Sequence, residues 1–244
     1  MQVRPYGDRR DDGVVQLSFT LPVALSEKAK EAALQMVQKM GFHDIKLAAA
    51  ERAAESYTFF IVYAHTSAAV DYAAISVPEV VSRKLGFDAL NARISEKLGR
   101  RIVVLGACTG TDTHTVGIDA ILNMKGYAGD YGLERYPMFE AHNLGSQVPN
   151  DELVNRALAQ KADAVLVSQV VTQRDVHKDN ARQFVEVARK AGLAKQALLL
   201  LGGPRVDHKL ALELGFDAGF GPGTKPSDVA NFVTEALLLR LGKA

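Results

Sequence analysis

Arg101-Ile-Val-Val-Leu-Gly-Ala-Cys-Thr-Gly-Thr-Asp-Thr-His-Thr-Val-Gly117 decides the fold of this chain. Ile102 to Ala107 is an apolar run of strand length, and the glycine-bearing turn after it puts a histidine at the carboxyl edge of a parallel sheet. Open α/β folds bind their ligands at that edge. Asp112 and His114 can share one turn, with the carboxylate accepting the proton of one imidazole nitrogen. That fixes the tautomer and makes the other nitrogen a better metal donor. Gly117 lets the backbone pass into the next element without a Cβ. No second histidine or cysteine follows at a ligand-like spacing, so nothing here supports a zinc site.

Downstream, strand and helix alternate regularly. Apolar strands are expected at Ile102 to Ala107, Met138 to His142, Ala164 to Val170, Ala197 to Leu201 and Ala218 to Phe220. Amphipathic stretches at Asp151 to Gln160, Ala181 to Ala191, His208 to Leu214 and Ser227 to Leu241 separate them. Near-continuous apolar strands with intervening helices imply a parallel sheet covered on both faces. The fold class is therefore α/β, a Rossmann-like, doubly wound, five-stranded parallel sheet. Upstream, residues 1 to 13 form a polar arm. Val14 to Leu21 alternates as a half-buried strand, and a helix capped by Ser26 runs to about Met40, where Gly41 stops it. Ile45 to Glu55 is ambiguous between strand and helix, Tyr57 to His65 is a strand, and Ile75 to Leu85 and Ala89 to Leu98 read as helical connectors. The expected division is a small α+β domain over residues 1 to 98 and the Rossmann-like domain over residues 99 to 244, with the boundary near Gly99.

Composition bounds the function. The chain has 244 residues, 48% of them hydrophobic, and a formal net charge of +1, which supports sizeable cores and gives no basic face for nucleic acid. The single cysteine, Cys108, allows no intrachain disulfide and reads as a small buried residue in a reducing compartment. Without an apolar leader or a membrane-length run, the expectation is a soluble, cytoplasmic protein. Gly106 to Thr111 lacks a Walker lysine, and no G-x-G-x-x-G follows the first strand. A triphosphate or dinucleotide site is thus poorly supported. Ser168, Gly202-Gly203 and Gly221-Pro-Gly-Thr224 nevertheless bring small residues to one sheet edge. Together they describe a glycine-floored slot for a long flat group, with a metal-ligand candidate at its mouth.

D-x-H-x-x-G, then a serine on the third strand, then Gly-Gly and G-P-G-T, is similar to the base-off, His-on cobalamin-binding domain of mutases and methionine synthase. That resemblance covers about residues 100 to 244. It implies His114 as the lower cobalt ligand, Asp112 as its hydrogen-bond partner, and Gly117, Ser168, Gly202, Gly203, Gly221, Gly223 and Thr224 lining the cleft for the displaced nucleotide tail. Two departures stand out: Ser168-Gln169-Val170 replaces the usual Ser-x-Leu, and the interval from Gly117 to Ser168 is long for that family, pointing to an insertion before the second strand.

The inserted segment, Leu122-Asn-Met-Lys-Gly-Tyr-Ala-Gly-Asp-Tyr-Gly-Leu-Glu-Arg-Tyr136, follows His114 with the spacing H-x10-K. It resembles the small, β subunit of the adenosylcobalamin- and pyridoxal-phosphate-dependent lysine 5,6-aminomutases. By that likeness Lys125 is the lysine that forms a Schiff base with pyridoxal 5'-phosphate, and the N-terminal α+β layer is a dimerisation domain. The resemblance further implies a radical isomerase that is active only with a larger α subunit of TIM-barrel type, in an α2β2 assembly, and acts on a small amino acid. That partner would supply most phosphate and substrate contacts. Ornithine 4,5-aminomutase is close in motif, but there the cobalamin domain resembles a fused tail of one large chain, so a free-standing chain favours the lysine enzyme. A corrinoid carrier for a methyltransferase, or a non-enzymatic cobalamin sensor, would keep His114 yet leave the Lys125 segment without a role. The choice between D-lysine and L-β-lysine stays open.

Overall fold

The computed structural model describes residues 1–80 and 84–243. Two units divide the chain, Met1–Ser76 and Val77–Ala244. In the first, β1 (Gln2–Val3) is followed by β2 (Val14–Leu21), α1 (Glu27–Lys39), β3 (His43–Ala54), β4 (Tyr57–His65) and β5 (Val70–Asp71). β4 lies between β2 and β3 in an antiparallel sheet, and β1 pairs with β5 separately. Ser26 caps α1 as its sequence suggests, its Oγ accepting the Ala29 N–H at 3.1 Å. Ala29, Ala33 and Val37 on the helix bury against Phe60, Val62 and Ala64 of β4. Alanines at the contact let the helix lie close to the sheet. The ambiguous stretch Ile45 to Glu55 is strand, because β3 pairs along β4 through three register shifts and that pairing outweighs the helix preference of Ala48-Ala49-Ala50.

The N-terminal arm is built around Asp12. Its carboxylate accepts N–H groups from Arg9 (2.8 Å), Val14 (3.0 Å), Gly7 (2.9 Å) and Asp8 (2.9 Å), and these bonds hold it well below the usual carboxylate range. With the folded value below the unfolded one, the contribution is complete above a pH of about 4 and is lost as pH falls through the folded value. Amide protection factors of Gly7, Asp8 and Arg9 are expected to hold between pH 7 and pH 5 and to drop in Asp12→Asn. Equal protection in the variant would show that the turn does not depend on the carboxylate.

The second unit contains α2 (Phe87–Leu98), β6 (Ile102–Cys108), α3 (Val116–Leu122), β7 (Phe139–Asn143), α4 (Asn150–Ala159), β8 (Ala164–Ser168), α5 (Val176–Lys190), α6 (Leu193–Gln196), β9 (Leu198–Gly202), α7 (His208–Leu214), β10 (Ala218–Phe220) and α8 (Pro226–Arg240). The five strands are parallel in the order β10-β9-β8-β6-β7. Leu105, Val165 and Leu199 bury on one face with Leu153, Phe184 and Leu214 of α4, α5 and α7. Val104, Leu166 and Leu200 bury on the other with Ile94, Ile118 and Val233 of α2, α3 and α8. This is the doubly wound sheet expected from the alternation. Gly106 permits it locally, since a Cβ there would collide with Ile118 and Leu122 of α3. α3 leaves β6 on one face of the sheet and α5 leaves β8 on the other. The chain therefore diverges between two adjacent strands, and a crevice opens at their carboxyl ends.

Three expectations need correction. The boundary near Gly99 moves to Ser76/Val77, because α2 belongs to the second core: Leu90 and Ile94 are fully buried there, and Arg93 donates to Glu235 at 2.6 and 3.0 Å. The helical connector over Ile75 to Leu85 is not formed at Ile75 to Val80, where Pro78 disfavours a helical conformation of the residue before it, and residues 81 to 83 lie outside the described residues. The strand expected to reach Val170 ends at Ser168: the Gln169 N–H still donates to the Gly202 carbonyl, but the Val170 and Val171 N–H groups turn to another partner, Asp112. Among the described residues no helix is long and apolar enough to cross a membrane.

Candidate functional site

Asp112, fixed just beyond the end of β6, is the buried charge around which the crevice is arranged. Its Oδ1 accepts the His114 backbone N–H at 3.0 Å and lies 3.0 Å from His114 Nδ1. Its Oδ2 accepts the N–H groups of Val170 (2.5 Å) and Val171 (3.0 Å). Burial pushes this carboxyl up, but hydrogen bonds from the His114, Val171 and Val170 amides outweigh it and leave the group below its ordinary value. It therefore stays an anion that accepts from Nδ1–H, and Nε2 is the nitrogen with a free lone pair. The His114 side chain is 55% exposed while Asp112 is 3% exposed, so an oriented donor stands at the surface on a buried support. Cys108 ties down the same turn, its Sγ–H donating to the His114 carbonyl at 2.9 Å. Burial pushes this thiol up to about 11, so the folded chain is expected to resist iodoacetamide at pH 8, with alkylation appearing only on denaturation. Labelling of the native protein at the denatured rate would show that the turn opens.

A cavity of about 350 Å³ lies beside this turn, and Gly117, Ser168, Gly202, Gly203, Gly221, Gly223 and Thr224 all line it. Packing explains some of these glycines and not others. A Cβ on Gly203 would strike the Gln169 carbonyl and one on Gly221 the Val206 carbonyl, so those positions are needed by the fold. Gly202 has ample room for a Cβ, and Gly117 would meet only Ser168 Oγ at 3.3 Å. Neither has a positive φ. What their missing side chains leave is open cleft floor, a cradle shaped for something other than the chain itself. Apolar walls from Val116, Leu166 and Leu200 suit a flat organic group.

Lys125 sits in the loop after α3, exposed and without an ion pair among the described residues. The loop is tightly made. Gly126 has φ 69°, and Gly132 passes so near Asn123 that a Cβ would collide with its carbonyl. Asp112, His114 and the cleft residues thus gather at one sheet edge, while Lys125 stands on the adjacent loop and does not line the cavity.

Residues 2–79 match the family described as the dimerisation domain of d-ornithine 4,5-aminomutase, and residues 102–230 match the B12 binding domain. The lysine 5,6-aminomutase beta subunit of Fusobacterium nucleatum subsp. nucleatum is 52% identical over 239 residues, covering 98% of this chain and 91% of that protein. The chain belongs to the lysine 5,6-aminomutase β-subunit family. The same subunit from Acetoanaerobium sticklandii is 50% identical, covering 97% of this chain and 90% of its own. The D-ornithine 4,5-aminomutase subunit beta of A. sticklandii is 30% identical across 96% of this chain, which spans 30% of that longer protein.

In this member of the family, several polar groups at the edge carry no motif. Gln169 is buried and its Nε2 donates to Thr109 O (3.1 Å) and Thr109 Oγ1 (3.0 Å), while Asn180 Nδ2 donates to the same hydroxyl at 2.7 Å. These bonds clamp the β6 turn to β8 and α5. A side-chain amide after the strand serine was the only available signal, and the departure from Ser-x-Leu was where it showed. The Val170 and Val171 amides had none, because every residue but proline carries one.

Proposed function

We propose that this chain is the cobalamin-carrying subunit of a radical aminomutase that moves the terminal amino group of lysine in a 5,6-shift, with His114 as lower cobalt ligand and Lys125 as the amine that holds pyridoxal 5'-phosphate. The observation that carries the reading is the pairing of near-full-length similarity to lysine 5,6-aminomutase beta subunits with an oriented histidine beside a cleft in which packing does not require Gly117 or Gly202. When bound, adenosylcobalamin supplies a carbon radical and pyridoxal phosphate a conjugated π system that can accept a migrating amino group.

The chain's own residues do the positioning. Asp112 fixes the His114 tautomer and raises the donor strength of Nε2. Gly117, Ser168, Gly202, Gly203, Gly221, Gly223 and Thr224 leave space for a nucleotide tail beside it. Lys125 offers an exposed amine on a stiff loop, and its neutral form is the nucleophile. A larger α subunit of TIM-barrel type, in an α2β2 assembly, would enclose the substrate and supply the remaining contacts. The first unit, with the family resemblance of its sheet, would pair two copies. A soluble cytoplasmic enzyme of lysine degradation fits this reading.

The test is spectroscopic. Chain labelled with ¹⁵N-histidine and loaded with cob(II)alamin is expected to show coupling of ¹⁵N, as distinct from the cofactor's own ¹⁴N, to cobalt, which His114→Ala removes. Coupling that survives in His114→Ala would overturn the ligand assignment. Nitrogen coupling together with no lysine turnover in the presence of the α subunit would instead favour a corrinoid carrier.

A further inference from the structure

The loop that carries Lys125 also walls the cleft. Tyr127, two residues further on, lines the same cavity as Gly117, Ser168 and Gly202, and its side chain is half exposed. Nothing between the two residues is slack. Four successive N–H groups donate within the loop: Met124 to Glu134 Oε2 at 3.0 Å, Lys125 to Asn123 Oδ1 at 3.0 Å, Gly126 to the Asn123 carbonyl at 2.8 Å and Tyr127 to the Asp130 carbonyl at 3.0 Å. Asp130 returns its own N–H to the Tyr127 carbonyl at 3.0 Å, and its Oδ2 accepts from Ser227 Oγ in the first turn of α8. At Gly126 a Cβ would collide with the Asp130 carbonyl, so the loop has no spare volume in which to absorb a shift.

We propose that Tyr127 joins the two cofactor sites: a planar base seated in the cleft packs against its ring, and the stiff Lys125–Tyr127 segment carries that restraint to the backbone of Lys125. The proposal rests on the reading that the cleft takes the nucleotide tail of cobalamin, and it adds a residue and a direction of coupling to it. An aromatic face against a base is a contact of useful size, enough to change affinity about tenfold when removed. A side chain ordered by one ligand no longer has to be ordered for the second, so the two should favour each other, and the favour must be reciprocal.

Cobinamide, which has the corrin but no nucleotide, separates the tail from the rest of the ligand. In the full chain, Tyr127→Ala is expected to weaken aquocobalamin about tenfold and leave diaquocobinamide, whose cobalt stays open to His114, within about twofold, while Tyr127→Phe matches the parent for both. In the parent chain, cobalamin but not cobinamide should slow amide exchange over residues 124 to 127 by about fivefold, a modest coupling. The slowing should vanish in Tyr127→Ala. Equal affinity of the parent for cobalamin and cobinamide would sink the tail reading itself, and the coupling with it. Tighter cobalamin binding with unchanged exchange would keep the tail in the cleft and overturn the coupling alone. Equal losses of both ligands in Tyr127→Ala would make Tyr127 merely structural. If that variant does not fold, the cobalamin and cobinamide exchange comparison in the parent decides.

Discussion

Replacing Lys125 with alanine is expected to abolish borohydride-trapped pyridoxyl labelling of this chain in its complex with the α subunit and to lower lysine turnover on the order of 10⁴-fold, the scale of losing a covalent catalytic group. The loop fold should survive the change. Lys125 uses its backbone N–H and not its side chain in the hydrogen bonds that shape the turn, and its side chain is exposed. Peptide mass mapping of the reduced parent complex checks the site directly, and a pyridoxyl group on another lysine would end the assignment. The variant also asks whether Lys125 restrains the cobalamin unit until substrate arrives. If it does, cobalt–carbon cleavage in Lys125→Ala should no longer need lysine. Cleavage that still depends on substrate would leave Lys125 an anchor and not a gate.

A second large effect is expected at Asp112. Both carboxylate oxygens accept N–H donors, Oδ1 from His114 and Oδ2 from Val170 and Val171. In Asp112→Asn one side must present an NH2 group to those donors, so whichever way the amide turns, partly buried N–H groups lose their acceptor. The cost is about 1 to 3 kcal/mol per unsatisfied group. The histidine loses its fixed tautomer as well, worth about 10- to 100-fold in cobalt affinity or activity. Urea unfolding and cobalamin titration measure the two separately. Wild-type affinity with lowered stability would mean that Asp112 only braces the turn. Unchanged stability with weaker binding would mean that it acts through His114 alone.

Much of this was legible in the sequence, for reasons that can be assigned. β6, β8 and β9 announce themselves because each is buried on both faces and so reads as a nearly unbroken apolar run, whereas the edge strand β7, Phe-Glu-Ala-His-Asn, is mostly half-buried. β2 and β4 show the alternation of strands with one covered face. The small residues of the cleft were visible because each stands at a strand end or in the turn after it, apart from Gly117 in the first turn of α3. Other features left no trace. α3 was missed because it is short and carries Gly117 in its first turn. β3 was ambiguous because an alanine-rich stretch has no preference strong enough to declare itself before β4 is in place. The domain boundary misled because α2 lies before the first strand of the unit into which it packs. The bonds from Val170 and Val171 to Asp112, and the entry of Tyr127 into the cleft wall, belong to tertiary contact.

The two sheets also differ in the order in which they can come into being. In the first unit the β3–β4 pair closes across a tight turn at Glu55-Ser56, and β2 reaches β4 across α1 and β3 alone, so all of its partners lie within one short stretch of chain. β6 must wait for β8 across α3, β7 and α4, and β8 for β9 across α5 and α6, so the parallel sheet draws together distant segments and gains its hydrogen bonds only after costly closure. During synthesis from the amino end, the first unit is complete while the strands that finish the cleft are still unmade. Any association through that unit can therefore begin on the ribosome, before the chain is able to hold a cofactor.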